Sequence, residues 1–413
     1  MKKNICIYED QKHETLLPLV YLRPVYDLRC GILTLREKIK QQFLTSTLIL
    51  HTRKSLHNSV QEKNPKLNVN FFADEDTLFI NGRLLIDKAI AKEIKKIELN
   101  SVLISQDEVV AAYIDANHLK DVVSDKSDFP TFDNIDLTVK EAKAKLISYP
   151  WDLVNENGNQ IRIDYNAIVK EVGLLKKYSF VEYTNKKEIF IAKEAKIDPF
   201  VHLDATYGPI YIGKNVHVNS HSLIQGPVFI GEGSTIKAHA AIYHDTSIGE
   251  YCKVGGEVEA SIVHSFSNKQ HDGFLGHAYL GSWVNLGAST NNSDLKNNYG
   301  NISVLIKGKN VDTKSQFVGL IMGDHSKTAI NTMFNTGTIV GISCNVFGAG
   351  FPPRYIPSFS WGGSDFLRNY DIEKCIEVAK MVLPRRKQQL TQADEELLRV
   401  VYEATKNEKA KRV

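Results

Sequence analysis

Hydrophobic residues in the second half of the chain recur at every sixth position. The series slips once by three residues and otherwise continues without an error to position 254. An α-helix repeats about every 3.6 residues and a strand every two, so neither accommodates this period. The hexads predict a triangular parallel β-helix, in which each side takes one hexad, the aliphatic side chain points inward and glycine makes the corner. The aliphatic positions are Ile191, Ile197, Leu203, Ile212, Val218, Ile224, Ile230, Ile236, Ile242, Ile248 and Val254, and the register returns at Leu280, Leu286, Val318, Ile330 and Ile342.

The first 150 residues show a different pattern, in which short apolar runs alternate with amphipathic stretches. This alternation predicts a Rossmann-like α/β domain around a mostly parallel sheet, the usual location of nucleotide sites. The predicted strands are Ile5–Tyr8, Thr47–Leu50, Leu67–Phe72, Thr77–Ile80, Val102–Ser105 and Val109–Ile114, and the predicted helices are Ile32–Phe43 and Ile86–Ile97.

These patterns divide the chain into three parts. We assign residues 1–180 to the α/β domain, 188–357 to the β-helix and 358–413 to a short C-terminal helical extension. The turn-like Asn155–Gly158 and the helix-like Ala167–Lys177 are predicted to connect the first two parts.

Two segments interrupt the hexads, at Ser265–Phe274 and Asn291–Asn301. Loops that break a regular scaffold are where function concentrates. After the hexads end, two helices are predicted, over Asp371–Leu383 and about Ala393–Lys406.

Composition and charge exclude several classes of function. Of 413 residues, 24% are charged and the net charge is +3, too mild a balance to argue for nucleic acid or a membrane surface. The five cysteines are scattered and form no CxxC pair, which favours a reducing cytoplasm. No stretch approaches the length of a membrane span, and the apolar run after Lys3 is too short for a signal peptide. We therefore expect a cytoplasmic protein without a nucleic-acid or membrane partner.

The strongest candidate chemistry lies in the stretch Gly276–Thr290, where the hexads bring together His277, Tyr279 and Asn285. A histidine held by rigid backbone beside a tyrosine and amides suits acyl transfer to a sugar amine. The imidazole takes the amine proton, while fixed donors hold the acceptor and the oxyanion.

The hexads, His277, Tyr279-Leu280-Gly281 and Val284–Thr290 together resemble the acetyltransferase half of a family of bifunctional enzymes. These hexapeptide-repeat transferases acetylate glucosamine 1-phosphate and then uridylylate the product. The family joins a nucleotidyltransferase domain to a left-handed parallel β-helix, and its helices trimerise. The resemblance covers the whole chain and is closest to a branch with an N-terminal Arg23-Pro24 segment. It implies acetyl-CoA as cosubstrate, an amino-sugar phosphate as acceptor, a homotrimer, and UTP with Mg²⁺ for the N-terminal half.

The same resemblance assigns roles to individual residues. It makes His277 the general base and places Tyr279 and Asn285 at the acceptor, with the later pair Asn298-Tyr299 as a further acceptor contact. It also implies that the basic cluster Arg385, Arg386 and Lys387 binds the phosphates of coenzyme A, for which three cations are suited on general grounds.

Three departures from the family pattern affect the N-terminal half and the acceptor. The glycine-rich phosphate loop is absent, and Glu9-Asp10-Gln11-Lys12 stands in its place. The family's Gly-Asp reads Gly82-Arg83 here; arginine does not ligate a metal but can hold a phosphate, so we assign no metal ligand. Glu259 replaces a lysine.

Arg23, Arg29 and Arg83 remain candidates for nucleotide or phosphate binding. The alternative for Arg23 and Arg29, which their sequence leaves open, is a structural ion pair.

Three other functions are compatible with these patterns. One is nucleotidyl transfer alone, and another is a non-enzymatic trimeric scaffold whose degenerate N-terminal domain senses a sugar nucleotide. The third is a zinc site like that of the hexapeptide carbonic anhydrases, formed by His221, His239 and His244, because 18 residues separate the first two, one full turn of three hexads.

Overall fold

A seven-stranded mixed sheet forms the centre of the N-terminal part in the computed structural model, which describes residues 4–124, 126–169 and 178–411. The strand order is β3-β2-β1-β4-β6-β5-β7, with β1 to β4 parallel and β6 antiparallel to both of its neighbours. The order reverses between β1 and β4, which is where doubly wound folds bind ligands. The strands are β1 Asn4–Tyr8, β2 Thr47–His51, β3 Asn68–Val69, β4 Thr77–Asn81, β5 Ser101–Ser105, β6 Glu108–Ile114 and β7 Thr138–Glu141.

Helices pack against this sheet, and their ends follow from local sequence. Thr34 begins α1 with a capping box to Glu37, and Asp87 caps α3 by accepting from two backbone amides. Each predicted strand and helix of this region therefore has a counterpart in the structure. The helices are α1 Leu35–Gln42, α2 His57–Lys63, α3 Lys88–Lys95, α4 Leu119–Val122 and α5 Pro150–Ile168.

The connection predicted at Asn155–Gly158 is wrong, because these residues lie within α5. Asn157 donates to the backbone oxygen of Asp245 in the β-helix. A Cβ atom on Gly158 would lie 1.6 Å from Oδ1 of Asp245, so only glycine allows this approach. The polar, turn-like sequence is thus the contact surface between the helix and the second domain. Most of the predicted Ala167–Lys177 helix lies outside the described residues.

The hexads form a left-handed parallel β-helix, as the resemblance implied. Thr235 pairs with Lys253, 18 residues later, so that three hexads make one coil. The strands are β8 Glu182–Thr184, β9 Ile189–Ile191, β10 Lys196–Ile197, β11 His202–Asp204, β12 Ile210–Ile212, β13 His217–Val218, β14 Leu223–Gln225, β15 Val228–Ile230, β16 Thr235–Ile236, β17 Ala241–Ile242, β18 Thr246–Ile248, β19 Lys253–Val254, β20 Glu257–Glu259, β21 Ile262–Val263, β22 Asn268–Lys269, β23 Phe274–Gly276, β24 Tyr279–Leu280, β25 Asn291–Asn292, β26 Ser303–Ile306, β27 Lys309–Asp312, β28 Ile321–Met322, β29 Lys327–Thr328, β30 Met333–Phe334, β31 Ile339–Val340, β32 Asn345–Val346, β33 Tyr355–Ile356, β34 Ser360–Gly362 and β35 Leu367–Asn369.

The coils stack into three faces around one apolar interior. The docked face consists of β9, β12, β15, β18, β21, β24, β28, β31 and β33. The pocket face consists of β10, β13, β16, β19, β22, β29, β32 and β34, and the third face consists of β8, β11, β14, β17, β20 and β23. At the pocket-face position between β22 and β29, Asn285 bridges the two neighbouring coils.

Glycine has a different role at the corners from the one predicted. Gly231 follows its aliphatic residue because a Cβ there would lie 2.6 Å from the backbone of Gly249 in the next coil. The left-handed corner conformation falls two residues later and is taken by large side chains as well, including Tyr251 (φ 55°) and Trp283 (φ 62°). These corner rings stack, and the rings of Phe266 and Trp283 are nearly parallel with centroids 4.5 Å apart.

The α/β domain packs along the docked face. Outward side chains of this face, among them Ile262, Tyr279 and Ile321, join a buried cluster with Leu19 and Trp151. The C-terminal helices α6 Ile372–Val382 and α7 Gln392–Thr405 pack in turn against the α/β domain and the β-helix. The predicted fold class is therefore confirmed, while the domain boundaries at 180, 188 and 357 stay predictions.

The two predicted interruptions have different structures. The Ser265–Phe274 segment is a shortened coil that contains β22, in which Lys269 takes the inward position of an aliphatic residue. The Asn291–Asn301 segment opens a true insertion, whose antiparallel hairpin β26–β27 reaches the α/β domain through Val304 and Ile306. None of the described helices is long and apolar enough to cross a membrane.

Candidate active site

His277 stands at the corner between the third face and the docked face, in a left-handed conformation with φ 45°. Its Nδ1 lies 2.8 Å from Oδ2 of Asp294, and its ring stacks on Phe317 with centroids 4.9 Å apart. The side chains of His277 and Asp294 are 22% and 14% exposed. We call this group of three residues the His277 corner.

The His277 corner has the geometry of a general base. An ionised carboxylate only accepts hydrogen bonds, so Nδ1 carries the proton and Nε2 keeps its lone pair. Among the described residues, no hydrogen-bond partner is found for Nε2. The aspartate therefore fixes the tautomer and the ring orientation that proton removal requires.

The insertion builds this corner. Asp294 and Phe317 lie at its two ends, where Leu295 and Phe317 form a bridge and Val318 donates its amide to the Asp294 oxygen at 3.0 Å. A Cβ on Gly276 would lie 2.4 Å from Oδ2 of Asp294, so glycine precedes the histidine. The sequence analysis missed Asp294 and Phe317. The signal for Asp294 was its position in a predicted interruption, 17 residues after His277 and hence almost one coil away.

Tyr279 is not available to an acceptor, contrary to the prediction. Its side chain is completely buried under the α/β domain, and its hydroxyl bonds the backbone N–H of Arg29 at 3.0 Å. Burial raises the pKa of this hydroxyl, which therefore stays protonated. The outward position on the docked face makes Tyr279 an interdomain contact.

Asn285 lies away from His277, in a cavity of about 250 Å³ on the pocket face. The same cavity is lined by Arg385 and Arg386, from the segment that follows α6, and by Lys253 and Lys327 of the β-helix. We call it the cationic pocket. Its remaining lining residues are Phe266, Asn268, Gln270, Trp283 and Val382, so no acidic side chain lines it.

The charges of the cationic pocket are arranged for an anion. The pKa of Lys253 is lowered by burial and by the neighbouring Arg386, Lys237 and Arg385. Burial also lowers the pKa of Lys327. Cations held together without a carboxylate match a phosphate-bearing ligand. Lys253, Lys327 and Trp283 were missed in the sequence because they come from three separate coils.

The other residues predicted to contact the acceptor or coenzyme A lie outside the His277 corner and the cationic pocket. Lys387 is exposed and does not line the cationic pocket, unlike its two neighbours. Asn298 accepts the backbone amide of Gly300, and Tyr299 is 66% exposed in the insertion. Neither residue of this pair contacts His277 through any described interaction, and their role at an acceptor stays a prediction.

The three arginines predicted to hold phosphate are engaged in ion pairs. Arg83 is completely buried and donates to Asp10 at 2.6–3.1 Å and to Glu108. Arg29 is 5% exposed and bonds Glu250 of the β-helix at 2.8 Å. The prediction of phosphate binding is therefore wrong for Arg29 and Arg83, because each guanidinium is buried against a carboxylate.

The Arg23 guanidinium lies 2.8 Å from the carboxylate of Asp324 in the β-helix. This is the structural ion pair that the sequence left open as the alternative to phosphate binding. The Arg-Pro segment is thus an interdomain contact, and β1 is followed by the short 3-10 helix Gln11–Leu16.

The carboxyl edge of the parallel strands does not fit a magnesium ion. Its half-buried carboxylates, Asp10 and Glu108, are both held by Arg83, and Glu9 is buried against Arg53 at 2.7 Å. Within residues 4–124, 126–169 and 178–411, no group of three potential metal-ligating side chains is found. Magnesium needs oxygen ligands that are free to coordinate.

The zinc alternative also lacks its ligand set. The rings of His221 and His239 stack with centroids 5.0 Å apart, as their spacing predicted. His244 lies elsewhere, beside Asp245 and Glu259. The three imidazoles therefore form no metal site in the described part of the chain.

Comparison with known proteins finds a family model and curated relatives that match parts of this chain. Residues 5–172 match the family model described as sugar nucleotidyl transferase. A bifunctional sugar-1-phosphate nucleotidylyltransferase/acetyltransferase of Sulfurisphaera tokodaii is 23% identical over 304 residues, 70% of this chain and 66% of that protein. The bifunctional protein GlmU of Methanocaldococcus jannaschii is 34% identical over 88 residues, 21% of each chain. The alignments thus span between 21% and 66% of the curated relatives' length.

Among solved structures, two UDP-N-acetylglucosamine acyltransferases are similar to part of this chain. The protein from Francisella novicida has a TM-score of 0.31 and 13% identity, covering 55% of this chain and 91% of its own. The protein from Campylobacter jejuni has a TM-score of 0.25 and 11% identity, covering 57% of this chain and 98% of its own.

Proposed function

We propose, from the premise that residues 5–172 form a domain of the sugar nucleotidyl transferase type, that this chain is a transferase of sugar-nucleotide biosynthesis. Its proposed reaction is acetyl transfer from acetyl-CoA to the amine of an amino-sugar phosphate. The observation that carries the proposal is the contact of His277 with Asp294 at 2.8 Å. The named relatives, which are bifunctional nucleotidylyltransferases and acetyltransferases, support the same class.

The proposed chemistry needs one base and one polarised carbonyl. The sugar amine attacks the thioester carbonyl and forms the new N–C bond, while Nε2 of His277 takes the amine proton. The C–S bond then breaks, and the imidazolium returns the proton to the departing thiolate. Asp294 stabilises the imidazolium between these two steps. The products are the N-acetyl sugar phosphate and the free thiol of coenzyme A.

Two further features support an amine acceptor and a coenzyme A donor. Glu259 pairs in register with Gly276, so a carboxylate lies one coil from His277 on the third face. A carboxylate there attracts the amine end of the acceptor. The cationic pocket offers four positive side chains to the phosphates of coenzyme A, with Asn285 among the neutral groups.

The separation of His277 from the cationic pocket supports the proposed homotrimer. His277 borders the third face, whereas the cationic pocket lies on the pocket face. The α/β domain covers the docked face, which leaves the other two faces for contacts between copies. In a closed ring, the His277 corner of one copy meets the cationic pocket of the next, and each site is complete.

Nucleotidyl transfer is the second candidate activity, and the match of residues 5–172 favours it. The Arg83 ion pairs at the strand edge argue against a magnesium-dependent reaction there. A single assay separates the two activities. The intact protein is given glucosamine 1-phosphate, acetyl-CoA, UTP and magnesium, and thiol release and pyrophosphate release are followed independently.

The proposed function predicts thiol release that depends on His277. His277→Ala should lower turnover by roughly 10²–10⁴, the contribution of a general base. His239→Ala removes an exposed histidine from another corner of the same β-helix and should leave the rate unchanged. Thiol release that is equal in the wild-type protein and the His277 variant would exclude the proposed mechanism.

A further inference from the structure

A second cavity, of about 440 Å³, lies where the three parts of the molecule meet. The α/β domain contributes Arg23 and Lys63, the β-helix contributes Trp283 and His325, and the segment between α6 and α7 contributes Gln389. We call it the junction cavity. Its volume is within the range of small-molecule sites, and it includes no residue of the His277 corner.

The junction cavity contains one buried cationic group that is incompletely satisfied. Nη2 of Arg23 donates to both carboxylate oxygens of Asp324 at 2.8 Å and to Oγ of Ser282 at 3.0 Å. Nη1 is buried and has no hydrogen-bond partner in the structure. A buried charged donor without an acceptor is unfavourable. The free Nη1 therefore points to an anionic oxygen supplied by a ligand.

The other charges around the junction cavity are paired. Lys63 lies 2.8 Å from Asp394, and Arg36 lies 2.8 Å from Asp27. Burial lowers the pKa of His325 to about 3, with smaller contributions from Lys327 and Arg23, so the ring is neutral. A neutral imidazole offers one donor and one acceptor, which suits hydroxyl groups. The junction cavity is thus polar and nearly neutral, unlike the cationic pocket.

Trp283 provides a fixed apolar surface beside these groups. Its ring is held in the corner stack between Phe266, with centroids 4.5 Å apart, and His325, with centroids 6.3 Å apart. The rigid aromatic edge of Trp283, next to hydrogen-bonding side chains, can contact a ring that has one apolar face and several hydroxyls. The unsatisfied Arg23 donor adds a position for a single phosphate.

We propose that the junction cavity binds a phosphorylated sugar, with its ring beside the edge of Trp283 and a phosphate oxygen at Nη1 of Arg23. This site is distinct from the acceptor position at His277. A ligand there touches all three parts of the chain, and its binding stabilises their docked arrangement. The identity of the sugars used to test the site rests on the proposed function, but binding itself requires no turnover.

The test is a titration of the full-length protein by calorimetry and tryptophan fluorescence. Glucosamine 1-phosphate and UDP-N-acetylglucosamine are used separately, because one is a free sugar phosphate and the other carries the sugar phosphate on a nucleotide. Saturable binding of either that is weakened in Arg23→Lys and kept in His277→Ala supports the proposal and identifies the source, because the acceptor position at His277 is a second place for glucosamine 1-phosphate. Arg23→Lys keeps a positive charge for Asp324 but lacks the second nitrogen, so affinity should fall about tenfold or more.

Two matched variants locate the ligand. Lys253→Gln alters the cationic pocket alone, and His277→Ala alters the proposed base; both should keep the Arg23-dependent binding. Thermal unfolding of Arg23→Lys checks that the variant is folded. Absence of binding by both sugars, unchanged affinity in folded Arg23→Lys, or loss of binding in Lys253→Gln would each overturn the proposal. A protein that binds but releases no thiol would refute the proposed function and leave this site standing.

Discussion

At the residue scale, the proposed chemistry depends on Asp294. Asp294→Asn keeps the size of the side chain but removes the negative charge 2.8 Å from Nδ1 of His277. We expect kcat to fall by roughly 10²–10⁴ with KM little changed, because the carboxylate acts on the imidazolium formed during the reaction. Steady-state thiol release measures both constants.

Asp272→Asn is the matched control for this variant. Asp272 is another aspartate of the β-helix, and it accepts a hydrogen bond from Ser289 at 2.8 Å. Its replacement should leave kcat unchanged. Equal losses in the two variants would mean that Asp294 acts only on the stability of the fold.

A second residue-scale prediction concerns pH and His51, at the carboxyl end of β2. Burial lowers its pKa to about 4, and its Nδ1 has no partner. The unfolded chain, with a histidine pKa of about 6.5, binds the proton first, so stability is complete above that pH and is lost as pH falls toward about 4. Between pH 7.5 and 5.5 this residue should remove about 1 kcal/mol from the free energy of unfolding.

Urea unfolding of the wild-type protein and His51→Gln at these two pH values tests the contribution. The difference in the free energy of unfolding between the two pH values should be smaller by about 1 kcal/mol in the variant. The exposed His239→Gln should keep the wild-type difference. An unchanged pH dependence in His51→Gln would show that other groups control acid sensitivity.

At the scale of elements, the backbones of neighbouring β-helix coils lie very close together at the glycines that follow the aliphatic residues. Gly231→Ala would bring a Cβ within 2.6 Å of the Gly249 backbone, which has no flexible side chain to move aside. We expect destabilisation of about 1–3 kcal/mol, the usual cost of overpacking, measured as a lower midpoint in urea. Gly300→Ala, in the insertion, has only the Asn298 side chain near it and should cost much less. Equal effects would contradict tight contact between coils.

The same scale shows where the hexad pattern is informative and where it fails. The inward aliphatic positions up to Leu286 were predictable because each coil repeats the same local geometry. After the insertion the predicted register at Val318, Ile330 and Ile342 is wrong, because none of these three residues belongs to the apolar interior of the β-helix and Ile330 is 69% exposed. The inward positions there include Leu320, Met322 and Phe334. The predicted interruption at Ser265–Phe274 is instead a shortened coil, in which the buried ammonium of Lys269 donates to the carbonyls of Gly255 and His271. A lysine interrupts the apolar pattern but not the fold, because its charge is satisfied by backbone oxygens.

At the scale of the whole molecule, the proposed trimer assigns the two halves of the proposed site to different copies. His277→Ala and Arg386→Ala should each be nearly inactive. When the two variants are co-expressed, about a quarter of the sites in randomly mixed trimers combine an intact His277 with an intact Arg386. Thiol release should therefore recover to about that fraction.

The control is a double variant expressed alone, which has no intact combination and should stay inactive. Sedimentation measures the oligomeric state of every sample. Mixed samples that form trimers but recover no activity would contradict a site shared between copies.

The sequence by itself determined the elements and the location that we propose for the chemistry. Strands, helices and coils follow from side-chain periodicity, which is a local property, and His277 was identified from residues next to it in the chain.

Tertiary structure alone decided the roles of the remaining residues, because partners and burial come from distant parts of the chain. Arg29 and Glu250 are 221 positions apart, and this ion pair makes an apparent phosphate ligand an interdomain contact. Tyr279 has the right position in the sequence motif but lies beneath the α/β domain. Asp294 completes the base only because the insertion returns to His277. Periodicity reports which face of an element is apolar, but it does not report what packs against that face.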